Sequence, residues 1–463
     1  VQGAPRGEGR SKSFLVLFFK KELFLPGKFR MTLSQPSLSV GIAGLGTVGG
    51  GVLRILRDNA DIVAAHAGRP ITVTAVSARD KTRDRGVKLD GMRWHDDPVA
   101  LAGDSGVDVV VELIGGSEAP ARPLVLAALR AGKPVVTANK ALLARHGVEL
   151  AAAAENGGAT LGFEAAVAGG IPVIKTLREG LAANRIRRVA GILNGTCNYI
   201  LTSMQERGSE FADVLAEAQK LGYAEADPSF DIDGVDAAHK LAILAALAFG
   251  RNVDFDAVHI EGIRNVSALD IAFAKELGYR IKLLGIARRT EAGIESRVHP
   301  CMVPQNSPLA RVDGVYNAVV AEGDFVGRVM LEGRGAGAGP TASAVVADLI
   351  DVARGRAAPV WGADAGGLAA SLPVPMSAYV GAYYLRLMVV DRPGVIADVA
   401  GALRDSGVSL ESMLQHGRAP GEAVPIVLVT HETRESQMCI AIDRIERLDS
   451  VLERPSVIRI EHG

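Results

Sequence analysis

Leu38-Ser-Val-Gly-Ile-Ala-Gly44-Leu-Gly46-Thr-Val-Gly49 begins as a buried strand and closes on three glycines spaced GxGxxG. An apolar-periodic segment over 50–59 follows and predicts a helix. Strand, glycine turn and helix in that order are the setting in which GxGxxG cradles a dinucleotide. Gly44 permits the tight turn, Gly46 lets the backbone approach a pyrophosphate, and Gly49 lets helix pack on strand. Leu45, Thr47 and Val48 complete the expected contact set, because helix-terminal amides face the anionic phosphates.

Working outward, 71–77 predicts the second strand, ending where an adenosine ribose would lie. An acid there would accept from the 2′-hydroxyl of NAD. The chain has Ser77-Ala-Arg79-Asp80-Lys81. Arg79 and Lys81 favour the 2′-phosphate of NADP(H). Asp80 keeps NAD(H) as the alternative, and solvated loop charge is the plain reading of both cations. Further βα units at 107–114, 134–137 and 160–163 predict an α/β fold with a parallel, doubly wound sheet. Gly115-Gly116-Ser117 and Thr137-Ala-Asn-Lys140 then sit at carboxyl ends of strands, where such sheets bind ligands. Gly115, Ser117 and Lys140 are the candidates there.

The 463 residues exceed one core, and about two to four domains are expected. A net charge of -1 gives no basic surplus, which argues against a nucleic-acid partner. Three scattered cysteines, Cys197, Cys301 and Cys439, fit a reducing cytoplasm and argue against a disulfide framework. The apolar run at 13–19 is too short to span a membrane and lacks a small-residue cleavage site. Residues 1–37 read as an extension outside the fold, with Met31 as the expected native start.

After residue 163 the pattern changes. Glu164-Ala-Ala-Val167-Ala-Gly169-Gly-Ile171-Pro172 is a glycine-rich turn, 189–193 a strand, and Asn194-Gly-Thr-Cys-Asn-Tyr199 its exit. Five acids (Glu225, Asp227, Asp231, Asp233 and Asp236) precede Lys240, which opens an apolar run. Asp236 and Lys240 are four apart and share a helix face. A lysine at the edge of an apolar helix beside carboxylates has the makings of a proton-transfer group, with a lowered pKa expected from desolvation. The bland alternative is a solvated acidic loop and an ordinary ion pair. His239 points about 100° away from Lys240, toward packing or solvent. Cys197 has no basic partner in sequence and reads as structural. Strands near 279–288, 294–299, 316–321 and 326–332 predict a mostly antiparallel sheet with helices on one face. Gly335-Ala-Gly337-Ala-Gly-Pro-Thr341 opens a helix over 342–352. Residues 381–463 read βαββαβ, a ferredoxin-like sandwich.

GLGTVG at 44–49, TANK at 137–140, FEAAVAGGIP at 163–172, NGTCNYIL at 194–201, LGYAEADPSFDIDGVDAAHK at 221–240 and GAGAGPTASAV at 335–345 together resemble homoserine dehydrogenase, over about 38–355. The resemblance implies a Rossmann-type domain (38–165, completed by a helix at 341–355) and an α+β substrate and dimerisation domain (166–340). It implies reduction of L-aspartate 4-semialdehyde to L-homoserine in threonine, methionine and isoleucine biosynthesis, by a homodimer or homotetramer. It makes Lys240 the catalytic lysine, Asp236 its partner, and Lys140 the lysine between cofactor and substrate. Glu225, with Asp231 nearby, would hold the substrate ammonium, and Gly337 would touch the cofactor. Glu164, Val167, Gly169 and Ile171 would bind a monovalent cation, Na+ or K+, largely through backbone carbonyls. Beyond a linker at 356–380, Asp391-Arg-Pro-Gly394-Val-Ile396 and Ser406-Gly-Val408 resemble the ACT domain, implying L-threonine as effector. With no kinase region expected before residue 38, the chain reads as monofunctional.

Overall fold

The computed structural model describes residues 35–461 apart from Arg418. The expectation for the N-terminal extension and Met31 thus falls almost wholly outside the described residues. Six strands, β1 (Leu38–Ala43), β2 (Ile71–Ser77), β3 (Arg93–His95), β4 (Val109–Glu112), β5 (Val135–Thr137) and β6 (Leu161–Gly162), form a parallel sheet ordered β3-β2-β1-β4-β5-β6. Both faces are covered, so the central strands are apolar throughout: Val40, Ile42, Val109, Val110 and Val111 are fully buried. The order reverses between β1 and β4, which opens a ligand crevice at their carboxyl ends. β3 and a helix at Ala60–Ala67 were not anticipated, being too short to show periodicity.

The first helix spans Thr47–Asp58 and starts ahead of the periodic segment, because Gly49, Gly50 and Gly51 fall within its first five residues. Those glycines score poorly by helix propensity, but they admit a neighbour. A β-carbon at Gly51 would sit 2.5 Å from the Ala338 carbonyl oxygen of the helix Ala338–Ala353. The two helices bury Val52, Leu56, Ala342, Val345 and Leu349 together. The second of them begins earlier than 342, since Pro340 falls in its first turn where no N–H partner is lost.

The remaining strands are β7 (Ile186–Ile192), β8 (His259–Ile260), β9 (Tyr279–Arg289), β10 (Ile294–Pro304), β11 (Tyr316–Gly323) and β12 (Gly327–Arg334). The C-terminal unit adds β13 (Val380–Val390), β14 (Leu410–Gln415), β15 (Ala423–Thr430), β16 (Thr433–Arg434) and β17 (Ser456–Ile460), with helices at Val395–Asp405 and Glu435–Glu446. All join one sheet, ordered β12-β11-β7-β9-β10-β17-β13-β15-β14, with β8 on β10 and β16 on β13. The helices Gly195–Arg207, Val235–Phe249 and Ala268–Glu276 pack on one face of its first half. The junction is a parallel pairing of β10 with β17 (Cys301↔Arg459, Met302↔Ile460). The βαββαβ unit is therefore fused edge to edge with the sheet of the middle domain. Residues 356–380 are tied down as well: Trp361 is buried and its indole N–H donates to the Gly147 carbonyl at 3.2 Å.

Candidate active site

Asn194 closes β7 and caps the helix Gly195–Arg207, its Oδ1 accepting from the Cys197 amide at 2.8 Å. Its Nδ2 donates to Asp231 Oδ1 at 2.8 Å and Asp236 Oδ2 at 2.7 Å. The single Thr196 O–H is shared between Tyr223 O at 2.8 Å and Asp231 Oδ2 at 3.2 Å. Neither Asn194 nor Thr196 was singled out from sequence. The signal for Asn194 was there, since Asn directly after a strand and before a helix is a capping signature.

Asp236 lies in the first turn of the helix Val235–Phe249, behind Gly234, which caps it in a left-handed conformation. Lys240 Nζ donates to Asp236 Oδ2 and to the Leu193 carbonyl, both at 2.7 Å. One of its three N–H groups remains. Lys140 starts the helix Lys140–Gly157 at the end of β5, and its Nζ lies 3.0 Å from Asp236 Oδ1. One buried carboxylate thus holds two lysines from different domains. Burial alone would raise the Asp236 carboxyl, but Lys240 and Lys140 together hold it well below the usual range. Lys140 is raised, the attraction of Asp236 outweighing desolvation. Asp231 is raised by burial and by the nearby Asp236 charge.

The structure places the other candidates as follows. A cleft of about 610 Å³ is lined by Thr47, Val48, Lys140 and Gly337 on one side and Asn194, Thr196, Asp231, Asp236 and Lys240 on the other. Gly169 also lines it. Glu225 is exposed and absent from that lining, although its charge is felt at Lys140. Cys197 is buried with Sγ 3.2 Å from the Asp231 carbonyl, and burial with the Asp231 charge pushes its thiol far up, as befits a structural cysteine. His239 packs between Phe230 and Phe255.

A second groove of about 340 Å³ runs along Gly44, Leu45, Gly46, Ser77 and Arg79, and adds Arg83 and Arg85. Lys81 is outside it, with Nζ 5.9 Å from the Trp94 ring centre. The Asp80 carboxylate turns onto its own loop, accepting from the Thr82 amide at 2.8 Å and hydroxyl at 2.7 Å. The turn fits a bound pyrophosphate. A β-carbon at Gly44 would meet the Leu113 carbonyl oxygen at 2.4 Å, whereas Gly46 faces open space. The helix behind it has no side-chain cap and no acid in its first turn, leaving its amides for an anion. Buried Glu112 braces the facing loop: it accepts from the Ile114 amide at 2.7 Å, the Gly115 amide at 3.2 Å and the Thr137 hydroxyl at 2.6 Å. Asn139 Nδ2 donates to Gly116 O at 2.7 Å, tying this loop, which continues into Ser117, to the residue before Lys140.

In the 164–171 loop, Ala168 and Gly169 both take positive φ, at 55° and 52°. The Val167 and Gly169 carbonyls accept none of the hydrogen bonds found among the described residues, whereas Ile171 O accepts from the Val173 amide at 2.7 Å. Two unengaged carbonyls on a tight turn suit a hard cation. The Glu164 carboxylate is already taken, accepting from the Ile174 and Lys175 amides at 2.8 and 2.9 Å, and burial pushes it up to about 7. Any cation contact from Glu164 would fall to its backbone.

Comparison with known proteins agrees with this geometry. Residues 44–164 match the model of the homoserine dehydrogenase NAD-binding domain, 172–350 that of homoserine dehydrogenase, and 383–449 that of the ACT domain. A homoserine dehydrogenase of Neisseria gonorrhoeae is 48% identical over 430 residues, covering 92% of this chain and 98% of its own. The crystal structure of a homoserine dehydrogenase from Thiobacillus denitrificans superposes with a TM-score of 0.87 at 50% identity, over 92% of this chain and 99% of that one. A hyperthermophilic archaeal homoserine dehydrogenase solved in complex with NADPH matches at 28% identity and TM-score 0.59, over 68% of this chain and 97% of that one. On these matches the chain belongs to the homoserine dehydrogenase family of NAD(P)-dependent oxidoreductases.

Proposed function

We propose that the protein interconverts L-aspartate 4-semialdehyde and L-homoserine with NADP(H) as the preferred cofactor. The observation that carries this reading is the shared cleft, which brings the amino-terminal end of the dinucleotide helix (Thr47, Val48) against Lys140, Asp236 and Lys240. When bound, the dinucleotide supplies or accepts the hydride at the carbon bearing the substrate oxygen. Lys240 donates a hydrogen bond to that oxygen with its remaining N–H, stabilises the charge that develops there and passes the proton. Asp236 orients Lys240 and keeps Lys140 protonated. Lys140 adds positive charge beside the same oxygen. Asp231, from within the cleft, and Glu225, whose charge is felt at Lys140, hold the substrate ammonium.

Arg79, with Arg83 and Arg85, supports a 2′-phosphate, since Asp80 is engaged with Thr82 and three arginines line the groove. Gly44, Gly46, Gly49 and the Gly115–Ser117 loop would hold the dinucleotide, and Val167 and Gly169 a monovalent cation. The ACT unit would bind L-threonine as an end-product effector in a homodimeric or homotetrameric assembly. The test is NADP+ reduction by L-homoserine at alkaline pH without phosphate, repeated with NAD+ and with added threonine. Oxidation of L-homoserine by neither dinucleotide would overturn the reading. Undiminished activity in saturating threonine would remove the effector part alone.

A further inference from the structure

Phe255, His239 and Phe230 form a ring stack beside Lys140. The His239 imidazole lies 4.2 Å from Phe255, centre to centre, at 17° between planes, and 5.6 Å from Phe230 at 29°. Lys140 Nζ lies over the Phe230 ring, 5.8 Å from its centre, and the Arg145 guanidinium lies 5.0 Å from that of Phe255. His239 is 4% exposed, and neither ring nitrogen has a hydrogen-bond partner among the described residues. Buried nitrogens almost always have partners, so stacking, and no hydrogen bond, accounts for this side chain. Burial, then Arg145, lowers the imidazole to about 4, so it stacks as a neutral ring and adds no third cation beside Asp236.

Lys140 has need of such a guide. Its side chain is 33% exposed and Asp236 is its one salt-bridge partner among the described residues, whereas Lys240 is 9% exposed and held at two points. A flexible four-carbon stem at a cleft wall samples several positions unless something selects one. A ring face attracts an ammonium, and more so where water is partly excluded. Phe230, itself 44% exposed, supplies that face. The geometry points to Phe230 and His239 as positioning residues for Lys140: His239, backed by Phe255, fixes the Phe230 ring, and the ring holds the Lys140 ammonium on Asp236 at the junction of the two halves of the cleft. This rests on the reading of Lys140 as an active-site lysine.

The experiment is steady-state L-homoserine oxidation with NADP+ by the full chain, for F230A, F230Y, H239A, H239F, K140M and the F230A/K140M double variant, with thermal midpoints alongside. Phe230 is at the surface, so F230A should fold even where H239A, which opens a buried void, does not. F230A is expected to lower kcat about tenfold with KM for NADP+ unchanged, and F230Y to restore it. H239F, which keeps a ring in the stack, should recover what H239A loses. F230A should add no further loss in the K140M background, as for two residues acting through one contact. A kcat for F230A within about twofold of the parent, multiplying losses in the double variant, or no rescue by H239F would overturn the proposal. A fully active K140M would overturn instead the reading of Lys140 on which it rests.

Discussion

Arg459 donates to both carboxylate oxygens of Glu261, at 2.8 and 2.9 Å, and so clamps the C-terminal unit onto the segment beside the acidic loop. Its Nε also donates to Glu435 Oε2 at 2.9 Å. From Glu261 the chain runs straight to the loop: the Ile263 amide donates to Ile232 O at 2.8 Å, two residues before Gly234. The C-terminal unit is thus joined to the site by a short run of direct contacts, in addition to the shared sheet.

Removing that clamp should cost stability. R459M leaves buried Glu435 without its cation and Glu261 with His259 alone, and breaking a buried pair costs about 3–5 kcal/mol. Urea or thermal unfolding of full-length R459M checks this, and an unchanged midpoint would refute it. The pH sign follows from Glu261, which burial alone would raise but which His259 and Arg459 hold well below the usual carboxylate range. Its contribution is present above the ordinary carboxylate pKa and is lost as pH falls through the lowered value. The gap between parent and R459M should therefore narrow in acid.

Asp270 is fully buried and accepts from Arg386 Nε at 2.8 Å and the Tyr384 hydroxyl at 3.1 Å, while boxing the cap of its own helix with Ser267. D270A should lower stability by about 3–5 kcal/mol, because Arg386 is left buried without that carboxylate. Unfolding in denaturant with an unaltered slope would report this as a stability change; a midpoint like the parent's would sink it.

D236N should reduce turnover by about 10²-fold or more, since it takes the shared charge from both lysines at once. A D236N enzyme with KM for L-homoserine raised and kcat intact would instead make Asp236 a binding group.

R79A/R85A should raise KM for NADP+ about tenfold and leave KM for NAD+ unchanged, as loss of charge-assisted phosphate contacts requires. Equal effects on both dinucleotides would exclude a 2′-phosphate role.

Glu164 gives a cation test with a defined sign. Its folded value, about 7, lies above the ordinary carboxyl value, so its contribution to stability is present below the ordinary value and fades as pH rises through about 7. A cation bound in the 164–171 loop would offset the buried charge. Na+ or K+ should therefore raise the thermal midpoint more at pH 8 than at pH 6, with choline chloride as the ionic-strength control. Equal shifts with choline would rule the site out.

Much of this was legible locally. GxGxxG between strand and helix, the βα repeats and the terminal βαββαβ order each depend on neighbours within one element, and the structure reproduces them. The Asp236–Lys240 pair was legible for the same reason, being one helical turn apart. The Asn194 cap was legible in the same way, but its bridge to Asp231 and Asp236 and the bracing role of Glu112 were not, because those roles come only from partners that other elements supply. The fusion of β17 onto β10 could not be read either, since strand pairing across a long separation leaves no periodic trace.

The sequence by itself determined the dinucleotide turn, the type of each domain and the acidic segment that leads into Lys240, all of them products of local periodicity and glycine placement. Tertiary structure alone decided that Lys140 and Lys240 share one carboxylate, that Glu225 sits outside the cleft while Asn194 lies inside it, and that a neutral His239 stacks beside Phe230. Each of those depends on where a side chain lands when separate elements pack, and burial and Coulomb attraction between distant residues settle that.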